Sequence, residues 1–157
     1  MSPMFGHKDD DQQADGKRAR AEQWRQAAQA EVARLSALPL AELAAEVMAR
    51  GFGPGSRGGD DDAITSGQAN AGAGPTADGI SYRFVPDRGF SSPLPAPEDY
   101  QLREQAIRLV AEGLQQLEHA SLVRFQLHTS MGYLDWAATR RGRAALERGE
   151  VLRLLQG

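Results

Sequence analysis

Three histidines, His7, His119 and His128, are the side chains best suited to proton transfer near neutral pH. Only His128 has a hydroxyl and a carboxylate nearby in sequence, Ser130 and Asp135. A Ser-His-Asp relay needs all three held within hydrogen-bond reach, yet Ser130 lacks the glycine pattern of a nucleophile elbow. We take the three as coincidence. The histidines and carboxylates show no recurring ligand spacing for a metal. Asp60, Asp61 and Asp62 lack the alternating ligands and closing glutamate of a calcium loop. The chain has no cysteine, which removes disulfides, thiolate metal sites and cysteine nucleophiles together. Gly51-Phe52-Gly53-Pro54-Gly55 hints at a dinucleotide loop, but that motif must join a strand to a helix. Here it follows a helical pattern and enters glycine-rich sequence. The expectation is a protein without catalytic residues, metal or cofactor, and therefore not an enzyme.

Binding chemistry is better represented. Arg140, Arg141 and Arg143, with Arg124 and Arg148, form the best candidate for an anionic partner, whether phosphates or an acidic protein surface. Cations at the start of a helix oppose its dipole, which favours an external counter-charge. The run Asp60 to Asp62 is a competing, intramolecular one. Trp24, Trp136, Tyr133 and Phe125 could stack on single-stranded bases, but their spacing on amphipathic elements makes them core anchors first.

The overall charge is −3, and its distribution is uneven. Residues 1–36 carry 6 charges of each sign, 37–100 carry 4 basic and 9 acidic, and 101–157 carry 8 basic and 6 acidic. A protein that lives on phosphate backbones needs a basic face, because counterion release supplies most of that affinity. Here the basic excess is small and confined to the last third, so DNA is disfavoured. Of 18 basic residues only Lys8 and Lys17 are lysines, a bias that suggests a GC-rich bacterial genome. No apolar run reaches the roughly 18 residues of a membrane span, and the N-terminus has no signal-peptide core. A soluble, cytoplasmic protein is expected.

The elements that must position these residues follow from periodicity. Residues 1–18 are polar and read as a disordered tail. Trp24, Ala28, Val32 and Leu35 recur at helical spacing, predicting a helix over 19–36. Pro39 suits the first turn of a second helix over 40–50, where Leu40, Leu43, Ala44, Val47 and Met48 form an apolar stripe. Gly51 is expected as its left-handed cap, with Phe52 folding back on Met48. Residues 54–79, rich in glycine and nearly free of large apolar groups, read as a flexible insertion within a single domain spanning 19–157. Ile80, Tyr82 and Phe84 alternate with polar residues, predicting a short strand that ends at Pro86. Pro97, Glu98 and Asp99 open a long helix. Leu102, Ala106, Ile107, Leu109, Val110, Gly113, Leu114 and Leu117 share one broad face of it.

After His119 the period becomes 2. Val123, Phe125 and Leu127, then Leu134, Trp136 and Ala138, predict a β-hairpin turning over 128–132, with Trp136 packed on Leu114. Thr139 can cap a last helix and Gly149 can end it. Val151, Leu152, Leu154 and Leu155 form a dense apolar tail that must dock on the body or pair two chains as a homodimer.

The succession of long helix, hairpin and Thr139-Arg140-Arg141-Gly142-Arg143-Ala144-Ala145-Leu146 resembles the C-terminal part of a winged-helix domain, over about 98–149. In that family a recognition helix leads into a two-stranded wing, and the second strand often closes on a Thr-x-x-Gly-[Arg/Lys] turn. The resemblance implies a small α+β fold and a DNA-reading helix at 98–118. The outward face of that helix holds Gln101, Glu104, Arg108, Glu112 and Gln115. The helix as a whole carries Glu98, Asp99, Glu104, Glu112 and Glu118 against Arg103 and Arg108. Major-groove reading is poorly served by such a face. The expected function is a non-enzymatic binding or regulatory module acting through protein–protein contacts, or alternatively a winged-helix transcriptional regulator using the arginines and hairpin on DNA.

Overall fold

The computed structural model describes residues 7–54, 76–89, 94–128 and 133–157, with side chains omitted at 7–10, 127, 128, 133 and 134. Its elements are helices α1 (His7–Ala37) and α2 (Leu40–Phe52), the short α3 (Ala77–Ser81), and the long α4 (Pro97–His119). Strands β1 (Val123–His128) and β2 (Tyr133–Ala138) follow, then helices α5 (Arg140–Arg148) and α6 (Val151–Gln156). The class is α+β, helix-rich with one small antiparallel hairpin.

Helix α4 is the organising element. Pro97 sets its first turn, and Asp99 reaches back to accept the Ala96 amide at 2.9 Å. Leu102, Ala106, Val110, Gly113, Leu114 and Leu117 are buried along it, and α1, α2, α3 and β1 pack around it. Gly113 sets the approach to α2, because a Cβ there would stand 2.8 Å from Val47 Cγ2. The main core joins Leu35, Leu43, Val47, Met48, Ile80, Leu114, Leu117, Leu122 and Val123, with Trp136 packed at its margin. Leu114 lies within this cluster and Trp136 packs against it. A second cluster unites Ala28 and Val32 of α1 with Val85, Leu102 and Ala106, and Trp24 leans on it.

Several local expectations are corrected. Residues 7–18 belong to α1 rather than to a disordered tail, whose first six residues lie outside the described part. Side chains 11–15 and 17–20 are exposed. Each further helical residue costs little once a packed segment supplies the nucleus, so the Gln, Ala, Lys and Arg residues, all good helix formers, simply extend it. Gly51 is not a left-handed cap: it lies inside α2, and Gly53 ends the helix with extended backbone at φ −75°. What position 51 requires is closeness, since a Cβ would sit 2.8 Å from Ile80 Cδ1. Leu40, at the head of the expected stripe, is exposed, whereas Leu43, Ala44, Val47 and Met48 are buried.

The strand expected at Ile80 is instead the end of α3 and a turn. Thr76 caps α3 by accepting from the Gly79 amide at 3.0 Å. The Phe84 and Val85 amides then donate to the Ser81 carbonyl. Ile80, Ser81, Phe84 and Val85 are buried, a helical spacing, while Tyr82 is exposed. The alternation of Ile80, Tyr82 and Phe84 imitated a strand that has no partner. Residues 76–79 of the expected insertion are therefore structured, and 55–75 lie outside the described residues.

The C-terminal tail is helix α6, which packs on α2 and α5. Val151 is buried, Leu154 and Leu155 pack on the main core, and Leu152 alone stays exposed. Internal docking absorbs most of the apolar surface that a homodimer through these residues would have used. No described helix is long and apolar enough to cross a membrane.

Candidate functional site

The hairpin end is built on Thr139. Its amide donates to the Leu122 carbonyl at 3.0 Å. Its hydroxyl approaches the Ser121 and Leu122 carbonyl oxygens at 2.8 and 3.1 Å and accepts from the Gly142 amide at 2.9 Å. One residue thus closes the sheet, caps α5 and ties the helix to the turn before β1, where Ser121 takes a left-handed φ of 60°. Gly142 completes the lock. A Cβ there would collide with the Leu122 carbonyl oxygen and stand 3.0 Å from Met48 Cε. The Thr-x-x-Gly spacing is therefore a packing device: the cap fixes the first turn, and the glycine lets that turn touch backbone. Gly149 ends α5 in the left-handed region at φ 65°.

This lock sets the arginines. Arg124, Arg140, Arg141, Arg143 and Arg148 are all exposed. Arg124 stands opposite Ala137 in the hairpin register, at the strand end from which α5 starts. Among the described residues, Arg124, Arg140 and Arg141 make no side-chain hydrogen bond or ion pair. Arg143 donates to the Ala138 carbonyl at 3.3 Å. Arg148 lies 3.9 Å from Glu150, a solvated contact worth little, and Glu150 is engaged more closely by Arg153 at 3.0 Å. The counter-charge considered for these arginines, Asp60 to Asp62, lies outside the described residues.

On the hairpin, the Phe125 and Trp136 rings meet at 5.0 Å with a 50° tilt, and Phe125 is 47% exposed. Trp24 belongs elsewhere: it packs on the second cluster and donates Nε1–H to the Pro86 carbonyl at 2.9 Å. The structure does not bring the four aromatics considered for stacking into one platform; the Tyr133 side chain lies outside the description. Of the imagined relay, Asp135 is buried, while Ser130 and the His128 side chain lie outside the described residues. His119 is exposed at the end of α4, and His7 opens α1. The outward face of α4 is as expected, with Gln101, Glu104, Arg108, Glu112 and Gln115 exposed and Glu104 paired with Arg108 at 3.4 Å.

Sequence reasoning missed the polar node at Asp99. Read there as a dipole-favouring acid, it is 4% exposed and accepts from Arg25 Nε at 2.8 Å, with Arg88 3.2 Å away. Burial pushes the Asp99 carboxyl upward, but hydrogen bonds from Arg25 and the Ala96 amide, with both guanidinium charges, hold it below its ordinary range. The node pins the segment after α3 against α1 and α4. The only signal was an acid three residues into a helix, which fits a cap equally well.

No family model, curated protein or solved structure matches the chain.

Proposed function

We propose that this protein is a non-enzymatic, cytoplasmic binding module that works through protein–protein contacts at the hairpin end. One observation carries the reading: Arg124, Arg140 and Arg141 are exposed beside a rigidly capped turn and engaged by no described side chain. Isolated arginines are common on surfaces, but here three lie close to one turn whose backbone is held by the Thr139 hydrogen bonds, and a fixed backbone lowers the cost of binding. Arginine suits carboxylates through its planar fork. Phe125, 47% exposed and packed on the partly buried Trp136, supplies apolar area on the same hairpin. The test is affinity capture from nuclease-treated extract with wild-type and Arg140→Glu plus Arg141→Glu proteins. Partners held by the wild type and lost from the folded variant support the reading; identical captured sets refute it.

A winged-helix regulator is the second reading, favoured by the Thr139–Gly142 turn that joins hairpin to helix. The acidic outward face of α4 opposes it, since affinity for DNA grows with phosphates neutralised. Fluorescence anisotropy with random duplex at physiological salt and micromolar protein should show no binding. A signal abolished by Arg140→Ala plus Arg141→Ala would reverse the order of the two readings.

A further inference from the structure

The two edges of the hairpin are not equivalent. In an antiparallel pair, residues alternate between those that bond across the ladder and those whose backbone groups turn outward. Three hydrogen bonds fix the phase here. The Phe125 amide donates away from β2, to Glu118 Oε1 at 3.4 Å. The Ala138 carbonyl accepts from Arg143 outside the ladder. The Thr139 amide bonds inward to Leu122. Phe125 pairs with Trp136 and Val123 with Ala138, so these four residues turn their backbone groups outward. On β1 the outward amide of Phe125 is occupied by Glu118. On β2 the amide and carbonyl of Trp136 and the amide of Ala138 face away from the sheet, and among the described residues no third strand pairs with them.

The register runs without a bulge from Tyr133 to Ala138. The strand Tyr-Leu-Asp-Trp-Ala-Ala contains neither proline nor lysine, two residues that commonly blunt an edge, and its one charge, Asp135, is buried. Arg140 and Arg141 stand exposed just beyond the end of this edge.

Resting on the reading of this chain as a protein-binding module, we infer that the outer edge of β2 receives an extended acidic segment of a partner protein. The segment adds as a third strand beside Trp136, with carboxylates against Arg140 and Arg141. Strand addition of this kind takes affinity from main-chain hydrogen bonds and specificity from the flanking side chains. The edge offers donors and an acceptor in alternation, which a peptide backbone matches and an acceptor-only phosphate backbone does not. A second copy of β2 would bring no exposed carboxylate to the arginines, because Asp135 is buried.

The test is selection of a displayed random decamer library on the full-length protein, followed by N-methyl scanning of the best synthetic peptide. Enrichment of acidic, β-branched sequences is expected. N-methylation should weaken binding at least tenfold at every second residue and little in between, because only alternate amides face β2. The Trp136 amide should exchange more slowly in the complex, and Arg140→Ala plus Arg141→Ala should weaken binding at least tenfold. Selected peptides without acids, a scan without the two-residue period, an unprotected Trp136 amide, or self-association through β2 would each overturn the inference. Peptides that need the two arginines but ignore N-methylation would leave the binding module standing and remove the edge. Loss of both arginine dependence and protein capture would remove both.

Discussion

The arginines that pack the helices together and those at the hairpin end behave in opposite ways. Between Arg25 and Arg103 several are staples, whereas, among the described residues, Arg18 and Arg20 on the exposed start of α1 are not. Arg25 holds Asp99, and Arg34 bridges Glu31 on its own helix and Glu46 on α2 at 2.8 and 2.7 Å. Arg50 donates to the Arg83 carbonyl at 2.8 Å and lies over the Phe84 ring. Arg103 reaches the Pro86 carbonyl at 3.0 Å and covers Tyr82 at 3.9 Å. Around the hairpin end, Arg124, Arg140 and Arg141 hold nothing among the described residues. One residue type serves as internal glue in one region and stands ready for a partner in the other. Counting arginines therefore says little about function; asking what each guanidinium already touches says more.

The largest expected effect comes from breaking the glue. Asp99→Asn leaves Arg25 and Arg88 facing a neutral amide, and losing one partner of a buried pair should cost about 3 kcal/mol in denaturant unfolding. A loss below half a kcal/mol would show that the node is solvated and the contrast overstated.

Next comes the lock beneath the free arginines. Gly142→Ala must push α5 away from Leu122, and overpacking of this kind costs about 1–3 kcal/mol. Thermal unfolding should show it, with loss of the Arg140/Arg141-dependent partner even in protein that remains folded. Full retention of stability would mean that the turn is pliable.

The pH dependence of stability sharpens the contrast further. Hydrogen bonds from Arg34 hold Glu31 and Glu46 below their ordinary values against the opposing effect of burial, and Asp99 is lowered as well. A depressed carboxylate stabilises the fold above its unfolded pKa, here about 4, and that contribution is lost as pH falls through the lower folded value. Acid titration of unfolding free energy should therefore be flat near neutrality and drop below about pH 4. Asp99→Asn should make the drop shallower, whereas Arg140→Ala plus Arg141→Ala should leave it unchanged.

The smallest effect belongs to the free arginines themselves. Arg140→Ala plus Arg141→Ala should change stability by no more than about 0.5 kcal/mol, because no hydrogen bond or ion pair among the described residues is lost and an unfavourable dipole interaction is relieved. A loss above 1 kcal/mol would place these residues among the staples.

Much of the frame was legible because local physics decides it. The stripe from Leu43 to Met48, the Pro97 start of α4, the alternation through Phe125 and Trp136, and the Thr139 and Gly149 caps of α5 all depend on residues within a few positions of one another. The segment after Thr76 was misread because Ile80, Tyr82 and Phe84 fit a two-residue period over a stretch too short to exclude a helical turn. The site was half legible. Its arginines stood out in the chain, and the edge beside them depended on a ladder phase that no residue type announces.

From residue types and their spacing alone follow the class, the positions of α2, α4 and the hairpin, the packed part of α1 though not its start, and the residues at the hairpin end that carry charge. Those features follow from periodicity, caps and turn chemistry, which act over a few residues. Tertiary structure alone decided which arginines are engaged, that Asp99 is buried between Arg25 and Arg88, that Gly51, Gly113 and Gly142 are points of close approach, and that the outer edge of β2 has no partner strand among the described residues. Each of these is a relation between segments far apart in the chain. Their encounter is set by how apolar faces pack, a quantity that only the assembled core contains.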